Sequence, residues 1–116
     1  MVAVEPERCP TLAMALKQGE PLDVEVGGIA ADSLGAQRVS ATALAVAQRT
    51  GVAPVLVDDE AIAAARRRLW EQLRVVAEPG GAAALAALTS GAWRPRCGER
   101  VAVIVCGGNT DPGDLS

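Results

Sequence analysis

The sequence predicts an α/β fold in three layers, with a mainly parallel sheet flanked by helices. Short β-branched, apolar segments alternate with longer segments whose apolar residues recur at helical spacing, as in parallel α/β proteins. Half of the residues are hydrophobic, and the 116-residue chain has two Trp but no Phe or Tyr. A core of small aliphatic side chains, packed through close backbone approach, is therefore expected within one domain or part of one.

The first half of the chain predicts two structural units. Residues 2–4 read as a short buried strand, and an apolar stretch at 11–16 follows as a helix that Gly19 ends as a C-terminal cap. After a loop rich in Gly and Pro, Ser40 is suited to cap a second helix that runs to Gly51. Gly19, Ser40 and Gly51 mark helix ends because their preferences depend on the backbone within one helical turn.

The next segment predicts a strand at 54–57 and a long helix capped by Asp58 or Asp59. One side of this helix is expected to face the core through apolar residues at helical spacing, namely Ile62, Ala65, Leu69, Leu73 and Val76. The other side is expected to face solvent through charged residues, namely Arg66, Arg67, Glu71 and Arg74.

The last third predicts one more helix and one more strand. Pro79 is a favoured first-turn residue, and the alanine-rich helix that it begins should end before Gly91. Residues 101–105 are continuously apolar and give the clearest strand signal, so a central place in the sheet is expected for them. Ligands of parallel α/β sheets gather beyond the carboxyl ends of the strands, which directs attention to the turn after residue 105.

Composition excludes several classes of function. A formal charge of −3, without a basic cluster larger than residues 66–68, predicts no nucleic-acid partner. No apolar run approaches the roughly 20 residues of a membrane span, so no membrane partner is expected. Cys9, Cys97 and Cys106 show no C-x-x-C spacing, which favours free thiols in a reducing cytoplasm over disulfides or zinc. The chain also begins and ends close to strands, as a segment of a larger domain would.

Few residues are suited to catalysis by the chain alone. The sequence has no His, which excludes Ser-His and Cys-His nucleophile pairs. Lys17 is its single lysine, and its position near the end of a predicted helix favours a hydrated, charged side chain over a covalent role.

Several positions nevertheless merit attention as candidate sites. Cys106, Gly107, Gly108 and Asn109 follow the last predicted strand, either as a turn with a buried thiol or as a place where a flat ligand approaches bare backbone. Glu78 precedes a helix N-terminus and is either a helix cap or a carboxylate whose neighbouring glycines let another group approach closely.

Two further sets of polar residues are weaker candidates. Asp32 is either a turn residue or a polar group in an apolar surrounding. Glu5, Cys9 and Thr11 gather oxygens on one turn after the first strand and suggest a hard cation.

Four segments, taken together and in order, resemble one family. They are VEPE at 4–7, AADSLGA at 30–36, AEPGGAAALAAL at 77–88 and VIVCGGN at 103–109. This combination resembles the serine/threonine dehydratases and serine racemases of the tryptophan-synthase-β-like fold, the type II fold of pyridoxal-phosphate enzymes. The resemblance implies that residues 1–116 are the C-terminal part of the large domain of a homodimeric enzyme. The N-terminal part with the cofactor-bonding lysine would then lie outside this sequence.

The resemblance also implies roles for the candidate residues. Cys106 would face the pyridine nitrogen of pyridoxal 5'-phosphate, with Gly107, Gly108 and Asn109 beside it. Glu78 and Asp32 would line the active site, where Ser33 replaces a family glycine. Where the family binds a divalent cation, the matching positions are Glu5, the Cys9 carbonyl and Thr11. Thr11 replaces an aspartate there, so a weaker divalent site or a monovalent ion is expected.

The activity implied is β-elimination from L-serine or L-threonine, giving an α-keto acid and ammonia. Two alternatives stay open at this point: serine racemase or another ammonia-lyase of the same fold, and a truncated α/β module without catalysis. The thiol at Cys106 favours elimination over transamination, because a neutral group opposite the ring nitrogen limits electron withdrawal into the ring.

Overall fold

A computed structural model describes residues 1–115 of the chain. The elements are, in order, β1 (Val2–Pro6), α1 (Thr11–Gln18), α2 (Ala31–Leu34), α3 (Ala41–Thr50), β2 (Ala53–Val57), α4 (Asp59–Leu73), α5 (Pro79–Thr89) and a 3-10 turn at Pro112–Leu115. No helix among these residues has the length and apolar character needed to span a membrane.

The sheet consists of two parallel strands with helices on both faces. β1 and β2 pair with Val4 opposite Val55 and Glu5 opposite Leu56. Val4 and Val55 pack against the core formed with α4 and α5. Side chains alternate along a strand, so Glu5 points to the opposite face, where its carboxylate contacts the start of α1. The predicted α/β architecture with a parallel sheet between helices is confirmed.

The core is built mainly from alanines and short aliphatic side chains, as composition predicted. α4 and α5 pack closely together because small residues line the surfaces that face each other. The buried cluster comprises Ala30, Val57, Ile62, Ala65, Leu69, Ala77, Ala82, Ala86 and Ala87.

Four predicted helix ends, at Gly19, Ser40, Gly51 and Asp58, are confirmed in detail. The Asp58 carboxylate accepts a hydrogen bond from the Ala61 amide at 2.7 Å, and the Ser40 hydroxyl accepts one from the Ala43 amide at 3.1 Å. Gly19 and Gly51 end α1 and α3 in the left-handed region, with φ of 86° and 65°. Each of these signals depends only on residues within one turn of the helix end.

The strand predicted at 101–105 is wrong for the described chain, because this segment joins no hydrogen-bonded ladder. Residues 101–104 instead border an apolar groove of about 490 Å³, together with Val2 and Val4 of β1 and Leu88 of α5. Ile104 is 76% exposed. An apolar run supplies the side chains of a strand, but a strand also requires a partner backbone within hydrogen-bonding distance.

Three assignments along α4 are also wrong. Val76 was expected on the core-facing side of this helix, but the helix ends at Leu73 and Val76 lies outside it, partly buried. Arg66 was expected in solvent but is 6% exposed, and Leu73 was expected in the core but is 67% exposed. Leu73 is the last helical residue, and Arg74 then turns the chain in a left-handed conformation with φ of 57°. Leu73 therefore lies beyond the surface that α5 covers, whereas Arg66 faces the C-terminal segment.

Candidate active site

The N-terminus of α5 takes its capping hydrogen bond from a different element. Glu78 occupies the N-cap position, but its side chain makes no capping bond. The Ser33 hydroxyl of α2 instead accepts a hydrogen bond from the Gly80 amide at 2.9 Å. A Cβ atom at Gly80 would lie 2.6 Å from that hydroxyl oxygen, so glycine at this position leaves the space that Ser33 occupies. Ser33 thus joins α2 to α5 at the edge of the site.

Residues 106–109, here called the glycine turn, lie directly on this helix N-terminus. The Glu78 amide donates a hydrogen bond to the Gly107 carbonyl at 3.0 Å. Gly107 adopts a φ of 76°, and a Cβ atom there would overlap the Glu78 carboxylate. A Cβ atom at Gly81 would overlap the Cys106 carbonyl. Glycine at both positions is therefore what permits the contact between turn and helix.

A cleft of about 540 Å³ opens beside this contact. It brings together three of the predicted site residues, Asp32, Glu78 and Asn109. Cys106, Gly107 and Gly108 lie next to it with exposed surfaces, so the alternative of a buried thiol at Cys106 is wrong. The other residues lining the cleft are Ile29, Ser33, Ala63, Arg66, Pro79, Thr110 and Asp114.

Arg66 is a site residue that sequence reasoning missed. Its guanidinium donates to the Ala77 carbonyl at 2.8 Å, to the Thr110 hydroxyl at 3.0 Å and to both carboxylate oxygens of Asp114 at 2.9 and 3.1 Å. Helical spacing did contain a signal, because position 66 lies four residues after Ile62 and three before Leu69. Arginine is usually exposed, and the prediction that Arg66 faces solvent followed residue type and not this spacing.

A family model for pyridoxal-phosphate dependent enzymes matches residues 1–107. The chain belongs to this family. It is 34% identical over 111 residues to phenylserine dehydratase of Ralstonia pickettii, covering 96% of this chain and 34% of that protein. It is 36% identical over 112 residues to the biosynthetic L-threonine dehydratase of Escherichia coli, covering 96% of this chain and 22% of the relative.

Solved structures agree with this assignment. Maize serine racemase superposes with a TM-score of 0.83 at 30% identity, covering 98% of this chain and 36% of the racemase chain. The chain therefore spans between 22% and 36% of the length of these three relatives. The fold is that of the type II pyridoxal-phosphate enzymes.

The residues present fit one side of a pyridoxal-phosphate site. The glycine turn presents backbone without side chains at Gly107 and Gly108, which a flat ring can approach closely. Cys106, directly before these glycines, is exposed, and the Glu78 carboxylate lies beside Gly107. These groups can contact a ring and its substituents, but none of them is an amine that could bond the cofactor covalently.

Lys17 lies where the sequence predicted. It is exposed in the last turn of α1. The favourable interaction of a cation with the carbonyl end of a helix accounts for lysine at this position.

The side chains at the three positions predicted to hold a cation all have protein partners, although the ligand predicted at Cys9 is its backbone carbonyl. Both oxygens of Glu5 accept hydrogen bonds from the start of α1, from the Leu12 amide at 2.8 Å and the Ala13 amide at 2.9 Å. The Cys9 thiol donates to the Gly27 carbonyl at 3.2 Å, and the Thr11 hydroxyl donates to the Ala36 carbonyl at 2.7 Å. Glu5 thus anchors α1 to the sheet, and cation binding here stays a prediction.

The pair of Arg66 and Asp114 predicts a pH dependence of stability. Hydrogen bonding and charge from Arg66 lower the pKa of Asp114 below its ordinary value of 3.8. A carboxyl with a lowered pKa in the folded state stabilises the fold above its unfolded pKa, and that contribution is lost as pH falls through the folded pKa. We expect Asp114→Asn to lower the melting temperature most at neutral pH. The difference from wild type should vanish in acid, and a difference that is constant across this range would contradict the pairing.

Proposed function

We propose that this chain forms one wall of the active site of a pyridoxal-phosphate-dependent L-serine/L-threonine dehydratase. The reaction is β-elimination, which yields an α-keto acid and ammonia. The observation that carries the proposal is the direct contact between the glycine turn and Glu78 at the N-terminus of α5. The names of the dehydratases to which the chain is similar support the same substrate class.

Bound pyridoxal phosphate supplies the electron sink that stabilises negative charge at the substrate's α-carbon. Cys106 is placed at the ring nitrogen in this proposal, and its thiol is a weak, neutral hydrogen-bond donor. A neutral partner limits full protonation of that nitrogen. Prompt loss of the β-hydroxyl is then favoured over transamination.

Glu78 and Asp32 supply the carboxylates of this wall. Both line the same cleft, Glu78 from the N-cap of α5 and Asp32 from α2. Carboxylates in such positions accept hydrogen bonds from a bound amino acid and exchange protons near its reacting atoms. Ser33 fixes the relative position of the two elements through its bond to the Gly80 amide.

The lysine that bonds the cofactor is proposed to come from a segment outside residues 1–116. That lysine-bearing segment is the first partner of this chain, and the assembled enzyme is proposed to be a homodimer. A cytoplasmic location suits its free thiols, since disulfides are disfavoured in reducing compartments.

Serine racemase is the second candidate, favoured by the similarity to the solved maize structure. An assay on the assembled protein separates the candidates. Keto-acid release from L-serine and L-threonine is the result expected for a dehydratase, and D-serine formation without keto acid would favour the racemase. If neither product forms although the lysine-bearing segment is present and folded, the chain is a non-catalytic module.

Substitution of Cys106 tests its role at the ring nitrogen. In the assembled enzyme, Cys106→Ser should retain elimination within about tenfold, because the hydroxyl is also a neutral partner. Cys106→Asp should lower elimination by about a hundredfold, the scale of losing one hydrogen-bond donor at a reacting centre, or divert turnover to transamination because a carboxylate stabilises the protonated ring nitrogen. Steady-state assays of both products give the rates and their ratio. Equal rates and ratios in the parent and the aspartate variant would contradict this role.

A further inference from the structure

We propose that Arg66 is a positioning residue that holds the glycine turn against Glu78. The group of contacts responsible, here called the Arg66 clamp, comprises Arg66, Ala77, Thr110 and Asp114. The catalytic importance of the clamp rests on the proposed function. Its existence and its effect on the turn do not.

The Arg66 clamp binds the chain next to each of the two segments that meet, namely the segment with Glu78 and the glycine turn. Nε of Arg66 donates to the carbonyl of Ala77, the residue directly before Glu78. Nη2 donates to the hydroxyl of Thr110, the residue directly after the glycine turn. One planar group therefore sets the distance between the segment that carries Glu78 and the segment that carries residues 106–109.

The charge of Arg66 has a matched partner. The two carboxylate oxygens of Asp114 accept hydrogen bonds from the two terminal nitrogens of Arg66. The side chains thus form a bidentate pair, the geometry in which arginine binds a carboxylate best. The Arg66 side chain is 8% exposed and that of Asp114 is 52% exposed. A buried guanidinium needs acceptors for its N–H groups. Thr110 and Asp114, which follow the turn, supply them and so fix this part of the chain beside Arg66.

Apart from the clamp, the glycine turn is held by its contact with the start of α5 and by one bond of its own, from the Thr110 amide to the Gly108 carbonyl at 2.9 Å. Residues 106–109 are all exposed, so burial of their side chains contributes little to fixing their position. The 3-10 turn that follows is anchored by the buried Leu115 and by Asp114. Without the Arg66 clamp, the carbonyl of Gly107 would be free to move away from the Glu78 amide.

Hydrogen exchange in the full chain of 116 residues tests this directly, because the Glu78 amide reports its bond to Gly107. The variants are Arg66→Met, Arg66→Lys and Asp114→Ala. Asp23→Ala serves as the matched control, since it breaks an exposed arginine–aspartate pair elsewhere. The amide of Leu44 in α3, bonded to the Ser40 carbonyl, is the internal reference outside the clamp.

We expect exchange at Glu78 to become about tenfold faster or more in Arg66→Met and Asp114→Ala, relative to Leu44. Arg66→Lys should give an intermediate rate, because an ammonium keeps the charge but lacks the planar fork that reaches Ala77 and Asp114 together. The Asp23→Ala control should leave the Glu78 rate unchanged. This graded rescue would not follow from a general loss of packing.

The proposal is overturned if Glu78 exchange in Asp114→Ala stays at the wild-type rate relative to Leu44. It is also overturned if Glu78 and Leu44 accelerate equally. Should Arg66→Met fail to fold, Asp114→Ala decides, since that side chain is half exposed. The readout needs no cofactor. A negative result therefore contradicts the clamp and not the dehydratase, whereas an inactive assembled enzyme with normal exchange contradicts the dehydratase and not the clamp.

Discussion

Replacing Gly107 with alanine is expected to lower the free energy of unfolding by about 1.5–3.5 kcal/mol and to displace the Glu78 side chain from the glycine turn. Two costs combine. An alanine in the left-handed region, which Gly107 occupies with φ of 76°, costs about 1–2 kcal/mol. The added Cβ also overlaps the Glu78 carboxylate, so the flexible Glu78 side chain must rotate away, and an unfavourable rotamer costs about 0.5–1.5 kcal/mol.

The chain contains a matched control for the first of these costs. Gly98 has a φ of 78°, but a Cβ atom there meets no other atom within 4 Å. Gly98→Ala should therefore lose only the backbone cost, about 1–2 kcal/mol. Urea unfolding of the two variants measures the difference. If Gly107→Ala and Gly98→Ala lose the same stability, the turn does not pack on Glu78 as described.

Gly81→Ala is expected to destabilise the chain, although the same change within a helix normally stabilises it. Alanine in place of glycine inside a helix contributes about 0.5–1 kcal/mol of stability. Gly81 is buried in the first turn of α5, and its added Cβ would overlap the backbone carbonyl of Cys106. A backbone group cannot rotate away as a side chain can, so we expect a net loss of about 1–3 kcal/mol.

A double variant shows whether the two glycines serve the same contact. Gly81→Ala pushes the glycine turn away from α5, which also moves Gly107 away from the Glu78 side chain, so Gly107→Ala then has less left to disrupt. The loss of stability in Gly81→Ala/Gly107→Ala should therefore be smaller than the sum of the single losses. Additive losses, or a gain of stability in Gly81→Ala alone, would contradict direct contact between residues 106–107 and the helix.

Features that depend on neighbours in sequence were predictable. The caps at Ser40 and Asp58 and the left-handed ends at Gly19 and Gly51 are determined within one helical turn. The sequence also predicted that Glu78 would lie at the start of a helix and that Cys106 and the glycines would follow an apolar segment. Their proximity came from the family resemblance.

Features that depend on distant segments were not predictable from local pattern. The burial of Arg66 requires Thr110 and Asp114, which lie 44 and 48 residues away. The role of Ser33 requires Gly80, 47 residues away, whose missing side chain makes room for the hydroxyl. Residues 101–105 have the composition of a strand but no ladder partner among residues 1–115. In each case the deciding contact is long-range, and composition does not encode it.

Cofactor binding by the purified chain tests most directly whether the catalytic lysine lies outside these 116 residues. Lys17 is the single lysine, and it is exposed at the end of α1. After addition of pyridoxal phosphate and reduction with borohydride, mass spectrometry should find no saturable adduct on Lys17. Assays should likewise find no keto acid from L-serine or L-threonine. A saturable, borohydride-trapped adduct on Lys17 accompanied by turnover would contradict the account.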